Sequence, residues 1–285
     1  MTVVSGLVVL LLRNSNFAVL DPKGPIAQSQ YDLLIFGTVL STFVVVPVFA
    51  LTYGIVMRYR TNHQTANYSP EWDGDKRLEL IWWLVPLALI TVLGVVIWTS
   101  SHRLDPSKAL ASSKPPVTIQ VVALQWKWLF IYPDYNIATV NYIQFPEDTP
   151  VNFVLTADAP MNSFWIPQLG GQIYAMPGMS TKLHLLADDP GEFRGSSANL
   201  SGEGFAGMKF TAKASSQADF ETWLKTVQQA DVNLAKADYD KLAQPSKNNV
   251  VSTYSAVERN LYGLVLQKYM PPDSHDSEGQ GRHEH

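Results

Sequence analysis

The sequence contains no cysteine. That excludes disulfides, thiolate metal sites and a lipid anchor on an N-terminal cysteine. Charged residues make up only 16% of the 285 positions, and the formal net charge is -4. Such a mildly acidic chain has no electrostatic reason to bind nucleic acid. Histidine is scarce, and between Val117 and Ala214 the chain holds just one, His184. No internal repeat is present. The apolar residues, by contrast, are plentiful and concentrate before position 104.

Leu33–Val56 and Leu80–Thr99 are almost wholly apolar. At about 1.5 Å per residue the first exceeds, and the second matches, a hydrocarbon layer of roughly 30 Å, so both read as transmembrane helices. Pro47 and Pro86 predict kinks, and Trp82, Trp83 and Trp98 sit near the ends of the second span, as interfacial aromatics do. The connecting stretch carries Arg58, Arg60, Lys76 and Arg77, which favours the cytoplasmic side. A hairpin then leaves both chain ends outside. Ahead of it, Val3–Leu12 is too short to span and reads as a signal remnant or an apolar arm on the membrane. Leu20–Pro25 reads as a turn-rich connector.

After a proline-containing linker, Leu104–Pro116, the period changes. Val117–Val121, Trp126–Tyr132, Ile137–Phe145, Val151–Thr156, Thr181–Ala187 and Met208–Ala212 are short β-rich runs separated by turn signals. Their spacing predicts an antiparallel Greek-key β-sandwich. Alternation places the indoles of Trp126 and Trp128 on one face. Gln217–Gln229, with Phe220, Trp223, Leu224 and Val227, and Glu258–Met270, with Leu261, Leu264, Val265 and Tyr269, have helical periodicity. The polar tail, with His275, His283 and His285, is expected to be disordered. The expected organisation is therefore an outer arm (1–30), a membrane hairpin (31–103), a sandwich (104–215), a helical aromatic-rich segment (216–270) and a tail (271–285).

Gly195–Met208 is the stretch with chemical content. Ser197 and Ser201 lie four apart, Phe205 four further on and Met208 three beyond. This is the spacing of a soft-metal loop whose thiolates and imidazole have been replaced. Serine hydroxyls stay protonated at neutral pH and bind copper poorly. His184, in the alternating run Leu183–Leu185, reads as a strand-surface residue, and one imidazole cannot build a copper centre.

The hairpin followed by a sandwich resembles subunit II of the haem-copper respiratory oxidases. In the cytochrome c oxidases of that group, a dinuclear copper centre is held by His-Ser-Phe-x-x-Pro and Cys-x-Glu-x-Cys-Gly-x-x-His-x-x-Met. This chain has Asn162-Ser163-Phe164-Trp165-Ile166-Pro167 and Ser197-x-Asn199-x-Ser201-Gly202-x-x-Phe205-x-x-Met208. Every spacing matches, and only Met208 survives among the ligand positions. The pattern resembles the ubiquinol oxidase branch, the cytochrome bo-type oxidases, whose subunit II carries no copper. Leu20–Gly24, Trp126–Trp128, Ile131–Pro133, Ile173–Met176 and Phe205–Phe210 agree with that branch. The relatives often carry a lipid-modified cysteine near the N-terminus, which this chain lacks.

The resemblance implies an α+β membrane protein, with a cupredoxin-like sandwich after the hairpin and C-terminal helices. It implies a subunit of a proton-translocating ubiquinol:oxygen oxidoreductase in the bacterial inner membrane, with the large domain in the periplasm. No cofactor is expected on this chain; haems and copper are expected in subunit I, which ubiquinol would reach directly. Expected partners are subunit I, the other oxidase subunits and membrane lipid. Asn162, Ser197, Asn199, Ser201 and Phe205 are expected to fill the former copper space as a hydrogen-bonded plug, with Met208 packed beside them. Glu79, at the cytoplasmic start of the second span, is either near a proton-path entrance or a simple interfacial charge. Two rival readings are a copper-bearing cytochrome c oxidase subunit and a membrane-tethered binding module unrelated to respiration.

Overall fold

A computed structural model describes residues 17–60 and 74–270. The expectations for Val3–Leu12 and for the His-bearing tail lie outside the described residues. The described chain forms two compact units, one of residues 32–105 and one combining the N-terminal stretch to Tyr31 with everything from Pro106 onward.

The first unit is a pair of helices. Helix α1 spans Pro25–Tyr59 and α2 spans Lys76–Arg103. At 1.5 Å per residue they measure about 52 and 42 Å, longer than the roughly 30 Å of a bilayer core. Both are long and apolar enough to cross a membrane. Their large apolar side chains are exposed, including Phe43, Trp83 and Trp98, as lipid-facing residues are. Thr38, Thr42, Thr52 and Thr91 turn their hydroxyls back onto the carbonyls four residues earlier at 2.7–2.8 Å, which satisfies them without water. Asp75 caps α2 by accepting from the Arg77 amide at 2.8 Å, and His102 and Arg103 lie in its last turn, where cations complement the helix dipole.

Helix α1 begins eight residues before its apolar run, at Pro25, whose fixed φ and missing N–H suit a first helical position. This opening turn belongs to the second unit. Ala27 is buried there. The preceding connector is tied down as well. The Lys23 amide donates to the Gln168 carbonyl at 2.7 Å, and the Lys23 carbonyl accepts from the Asp188 amide at 3.0 Å.

The second unit is built on ten strands: β1 (Val117–Leu124), β2 (Lys127–Tyr132), β3 (Ile137–Val140), β4 (Tyr142–Pro146), β5 (Val151–Ala157), β6 (Asn162–Trp165), β7 (Ile173–Ala175), β8 (Thr181–Leu185), β9 (Gly191–Ser197) and β10 (Lys209–Ser215). One sheet runs β3-β2-β1-β5-β8 and the other β4-β10-β9-β6-β7. β1 and β5 pair in parallel, as do β4 and β10, while the other pairs among these ten are antiparallel. This is the cupredoxin-like sandwich the resemblance implied. Trp128, Phe130, Phe164 and Phe210 form its aromatic centre, with ring centroids 5.0–6.3 Å apart.

Three readings of the strands need correction. The sandwich is not purely antiparallel, since β1 runs parallel to β5 and β4 to β10. Ile137–Phe145 is not one strand. Asn141 adopts φ 57°, a left-handed conformation that asparagine tolerates, and there the chain passes from one sheet to the other. Trp126 is not in β2 but in the turn before it, with φ 65°, since Leu124 pairs directly with Lys127. Its indole still packs against the same interior cluster as Trp128.

The C-terminal segment contains α3 (Gln217–Gln228), β11 (Asn233–Leu234), α4 (Lys236–Leu242), β12 (Ser252–Tyr254), β13 (Ala256–Val257) and α5 (Leu261–Gln267). Ser216 caps α3 through the Asp219 amide at 3.1 Å, and Phe220, Leu224 and Val227 bury its apolar face. β12 joins the outer edge of β3. The second expected helix is shorter than its periodic run, and Asn260 precedes it at φ 57°. Leu261, Tyr262 and Val265 are its buried residues, whereas Leu264 and Tyr269 are exposed. With Leu234 and Tyr239 they cover the far face of the β1–β3 sheet, against Val122, Leu124, Leu129 and Ile131. β2 is consequently buried on both faces.

Candidate functional site

The site lies where β6, the end of β9 and the connection to β10 meet. β9 extends as far as Ser197, so the glycine-rich stretch is part strand. Its last residues pair with β6, Ser197 opposite Phe164 and Ser196 opposite Trp165. Pairing carries Ser197 inward, where it is buried beside Asn162. The Ser197 hydroxyl donates to Asn162 Oδ1 at 3.0 Å, and Asn162 Nδ2 donates to the Pro160 carbonyl at 2.7 Å. Asn199 Nδ2 donates to the Met161 carbonyl at 3.0 Å. Two backbone bonds complete this limb: Ala198 amide to Ser163 carbonyl at 2.9 Å, and Ser197 amide to Met208 carbonyl at 3.1 Å.

The far limb is held differently. The Trp126 indole N–H donates to the Ser201 carbonyl at 3.1 Å. A Cβ on Gly204 would lie 2.3 Å from the Trp126 ring, so only glycine lets the loop lie on that indole. Phe205–Gly207 makes a 3-10 turn, closed by the amides of Phe205, Gly207 and Met208. Met208 is buried in the core. The Ser201 hydroxyl is buried and has no hydrogen-bond partner. Of the sequence-predicted positions, Asn162, Ser197 and Asn199 thus form one polar net, while Ser201 and Phe205 stand on the limb packed against Trp126.

These side chains do not fit a dinuclear copper centre. They offer amides, hydroxyls, a phenyl ring and one thioether, where copper takes thiolate and imidazole. His184 lies in β8, outside this loop. It is buried rather than on the strand surface, with Nδ1 2.6 Å from Asn152 Oδ1, its partner across β5. Burial lowers its pKa. Among the described residues, no group of three or more His, Cys, Asp or Glu is placed to hold a metal. Glu79 lies exposed in the first turn of α2.

Two charged side chains escape the sequence reading. Lys127, between the two tryptophans, is fully buried. Its ammonium donates to the Leu242 carbonyl at 2.7 Å, the Gln244 carbonyl at 2.9 Å and the Ser246 hydroxyl. It therefore sits at the C-terminal end of α4, where a cation complements unsatisfied carbonyls. Burial lowers its pKa. Asp158, at the end of β5, accepts from Tyr239 Oη at 2.7 Å, Lys268 Nζ at 2.6 Å and Tyr269 Oη. Burial pushes its pKa up, but the three hydrogen bonds outweigh it and hold the carboxyl below the usual range. No periodicity marks either residue; each looks like an ordinary surface charge in sequence.

Two long apolar helices followed by a cupredoxin-like sandwich are the parts of a haem-copper oxidase second subunit. Known proteins agree. The family described as "Cytochrome C oxidase subunit II, periplasmic domain" matches residues 136–215, and "COX Aromatic Rich Motif" matches residues 228–273. Cytochrome bo(3) ubiquinol oxidase subunit 2 of Pseudomonas putida is 50% identical over 261 residues, covering 92% of this chain and 83% of that one. The Pseudomonas aeruginosa protein of the same name is 46% identical over 277 residues, covering 97% and 83%. Ubiquinol oxidase subunit 2 of Acetobacter aceti is 42% identical over 262 residues, covering 91% and 85%. The chain belongs to the ubiquinol oxidase subunit 2 family. That membership sets aside a tethered binding module unrelated to respiration.

Proposed function

We propose that this chain is the copper-free second subunit of a proton-pumping ubiquinol:oxygen oxidase. It carries no redox centre and acts as a structural and assembly partner of the haem-bearing subunit I. The observation that carries this reading is the loop itself. A soluble cytochrome needs a metal entry point, and Asn162, Ser197, Asn199, Ser201 and Phe205 supply no ligand set for one. A lipid-soluble donor that reaches subunit I directly is consistent with that loss. The hairpin supports a place in the bacterial inner membrane as a two-span subunit. The basic residues Arg58, Arg60, Lys76 and Arg77 favour a cytoplasmic connection, which leaves the sandwich in the periplasm. Partners on this reading are subunit I, the remaining oxidase subunits and lipid.

Glu79 takes a place in the same proposal. It stands in the first turn of α2, at the cytoplasmic end of that span on this topology. A carboxylate there can pass protons toward an intramembrane route in subunit I, a common use of acids at membrane proton paths. The function is tested by comparing ubiquinol with reduced cytochrome c as donor to the purified complex. Ubiquinol oxidation without cytochrome c oxidation supports the reading, and efficient cytochrome c turnover contradicts it.

A further inference from the structure

We infer that residues 244–250 form a strap that holds the far limb of the β9–β10 loop closed, in the way a bound metal would otherwise organise it. The comparison with a metal rests on the copper-free reading; the strap's geometry stands independently of it. The strap is fixed at both ends. At one end the buried Lys127 ammonium gathers the carbonyls of Leu242 and Gln244 and the Ser246 hydroxyl. Ser246 and Asn249 then bond each other twice, Ser246 Oγ to Asn249 Oδ1 at 2.8 Å and Asn249 Nδ2 to the Ser246 carbonyl at 3.0 Å. At the other end Asn141 Nδ2 donates to the Asn249 carbonyl at 3.0 Å. Asn141 is itself fixed, because its Oδ1 accepts from the Trp128 amide at 2.9 Å.

Between the anchors the strap touches the loop at successive points. Lys247 pairs with Glu203 and lies 5.6 Å from the centre of the Trp126 ring. Asn248 bends at φ 54° and brings its Oδ1 so close to Gly207 that a Cβ there would lie 2.5 Å from it. Trp126, Gly204 and the Ser201 carbonyl form the layer beneath. The near limb needs no such support, since β6 pairing and the Asn162–Ser197 bond already fix it. Apart from the strap, the far limb between Ser201 and Gly207 is held by the Trp126 contacts and its own 3-10 bonds, and its buried Ser201 hydroxyl adds none. The strap in the aromatic-rich C-terminal segment therefore sets how often Ser201–Met208 opens. Lys247 is a positioning residue for that loop.

The test is hydrogen exchange by mass spectrometry on the intact oxidase complex, following peptides over 201–208 and over β10. An exposed ion pair and a cation–π contact are each modest, so Lys247→Ala should raise exchange over 201–208 about threefold to tenfold. β10 should not change. Lys247→Arg should restore protection, and added salt should speed loop exchange in the native protein more than in Lys247→Ala. Glu203→Gln should fall between. Unchanged loop exchange in both Lys247→Ala and Glu203→Gln would overturn the strap. Lys127→Met should loosen strap and loop together; should that variant not assemble, the Lys247 and Glu203 variants decide alone. A copper-pair absorption band in the same preparation would overturn the copper-free reading and leave the exchange result standing.

Discussion

The Ser197 hydroxyl donates to the side-chain oxygen of Asn162 at 3.0 Å, and both residues are buried. This bond joins β9 to β6 at the point where two segments of a copper-binding relative would each present a ligand. In this chain the two strands are joined there by an ordinary hydrogen bond between neutral groups. The Asn162 side-chain nitrogen donates to the Pro160 carbonyl, so both ends of the buried amide have a partner without a cation.

That arrangement separates the two serines. Ser197→Ala leaves the buried Asn162 oxygen short of a donor and should destabilise the sandwich by about 1–3 kcal/mol. Ser201→Ala removes a buried hydroxyl that has no partner, and should be neutral or stabilising by up to about 1 kcal/mol. Thermal unfolding of the two variants in the assembled complex, compared with the native protein, checks the difference in sign.

Lys127→Met should destabilise the C-terminal segment by about 3 kcal/mol, because two carbonyls and a hydroxyl lose a charged donor at once. The loosening should concentrate beyond α4. Limited proteolysis checks this: new cleavage is expected within 242–251, with β1–β5 resistant.

Asp158 gives a pH dependence of definite sign. Its folded pKa lies below the unfolded value, because the cost of burial is exceeded by the bonds from Lys268, Tyr269 and Tyr239. A depressed carboxylate contributes stability that is complete above the unfolded pKa, about 3.9, and is lost as pH falls through the folded one. Acid should therefore release α4 and α5 from β5. In Asp158→Asn the acid-dependent part of this loss should disappear, and stability at neutral pH should fall by roughly 1–3 kcal/mol. Denaturation midpoints between neutral and acid pH measure both effects.

Glu79→Ala should lower ubiquinol oxidase turnover severalfold while leaving the haem content of the complex intact. Unchanged turnover and unchanged proton release would reduce Glu79 to an interfacial charge.

The membrane spans are legible in the sequence because lipid demands uninterrupted apolar runs. Most of the sandwich is legible from alternation, and the loop from its ligand spacing. β6 and β9 are not. β6 is four residues long, and of its inward pair, Asn162 and Phe164, the first is polar. In β9 the inward residues are Phe193, Gly195 and Ser197, two of them small and without hydrophobic signal. Small residues stand there because the Phe210 ring occupies the space a Gly195 side chain would need, and Asn162 lies against Ser197. The break at Asn141 is hidden by a continuous β-like run, since nothing but one left-handed residue marks the change of sheet. The Lys127 and Asp158 anchors depend on partners more than eighty residues away, and no local pattern can report those.

The most direct test of a copper-free second subunit is near-infrared and electron paramagnetic resonance spectroscopy of the intact oxidised complex. A subunit whose Asn162, Ser197, Asn199, Ser201 and Phe205 cannot ligate copper predicts no mixed-valence dinuclear copper signal, with ubiquinol still oxidised. A copper-pair band that is lost when Met208 is replaced by Leu would contradict it.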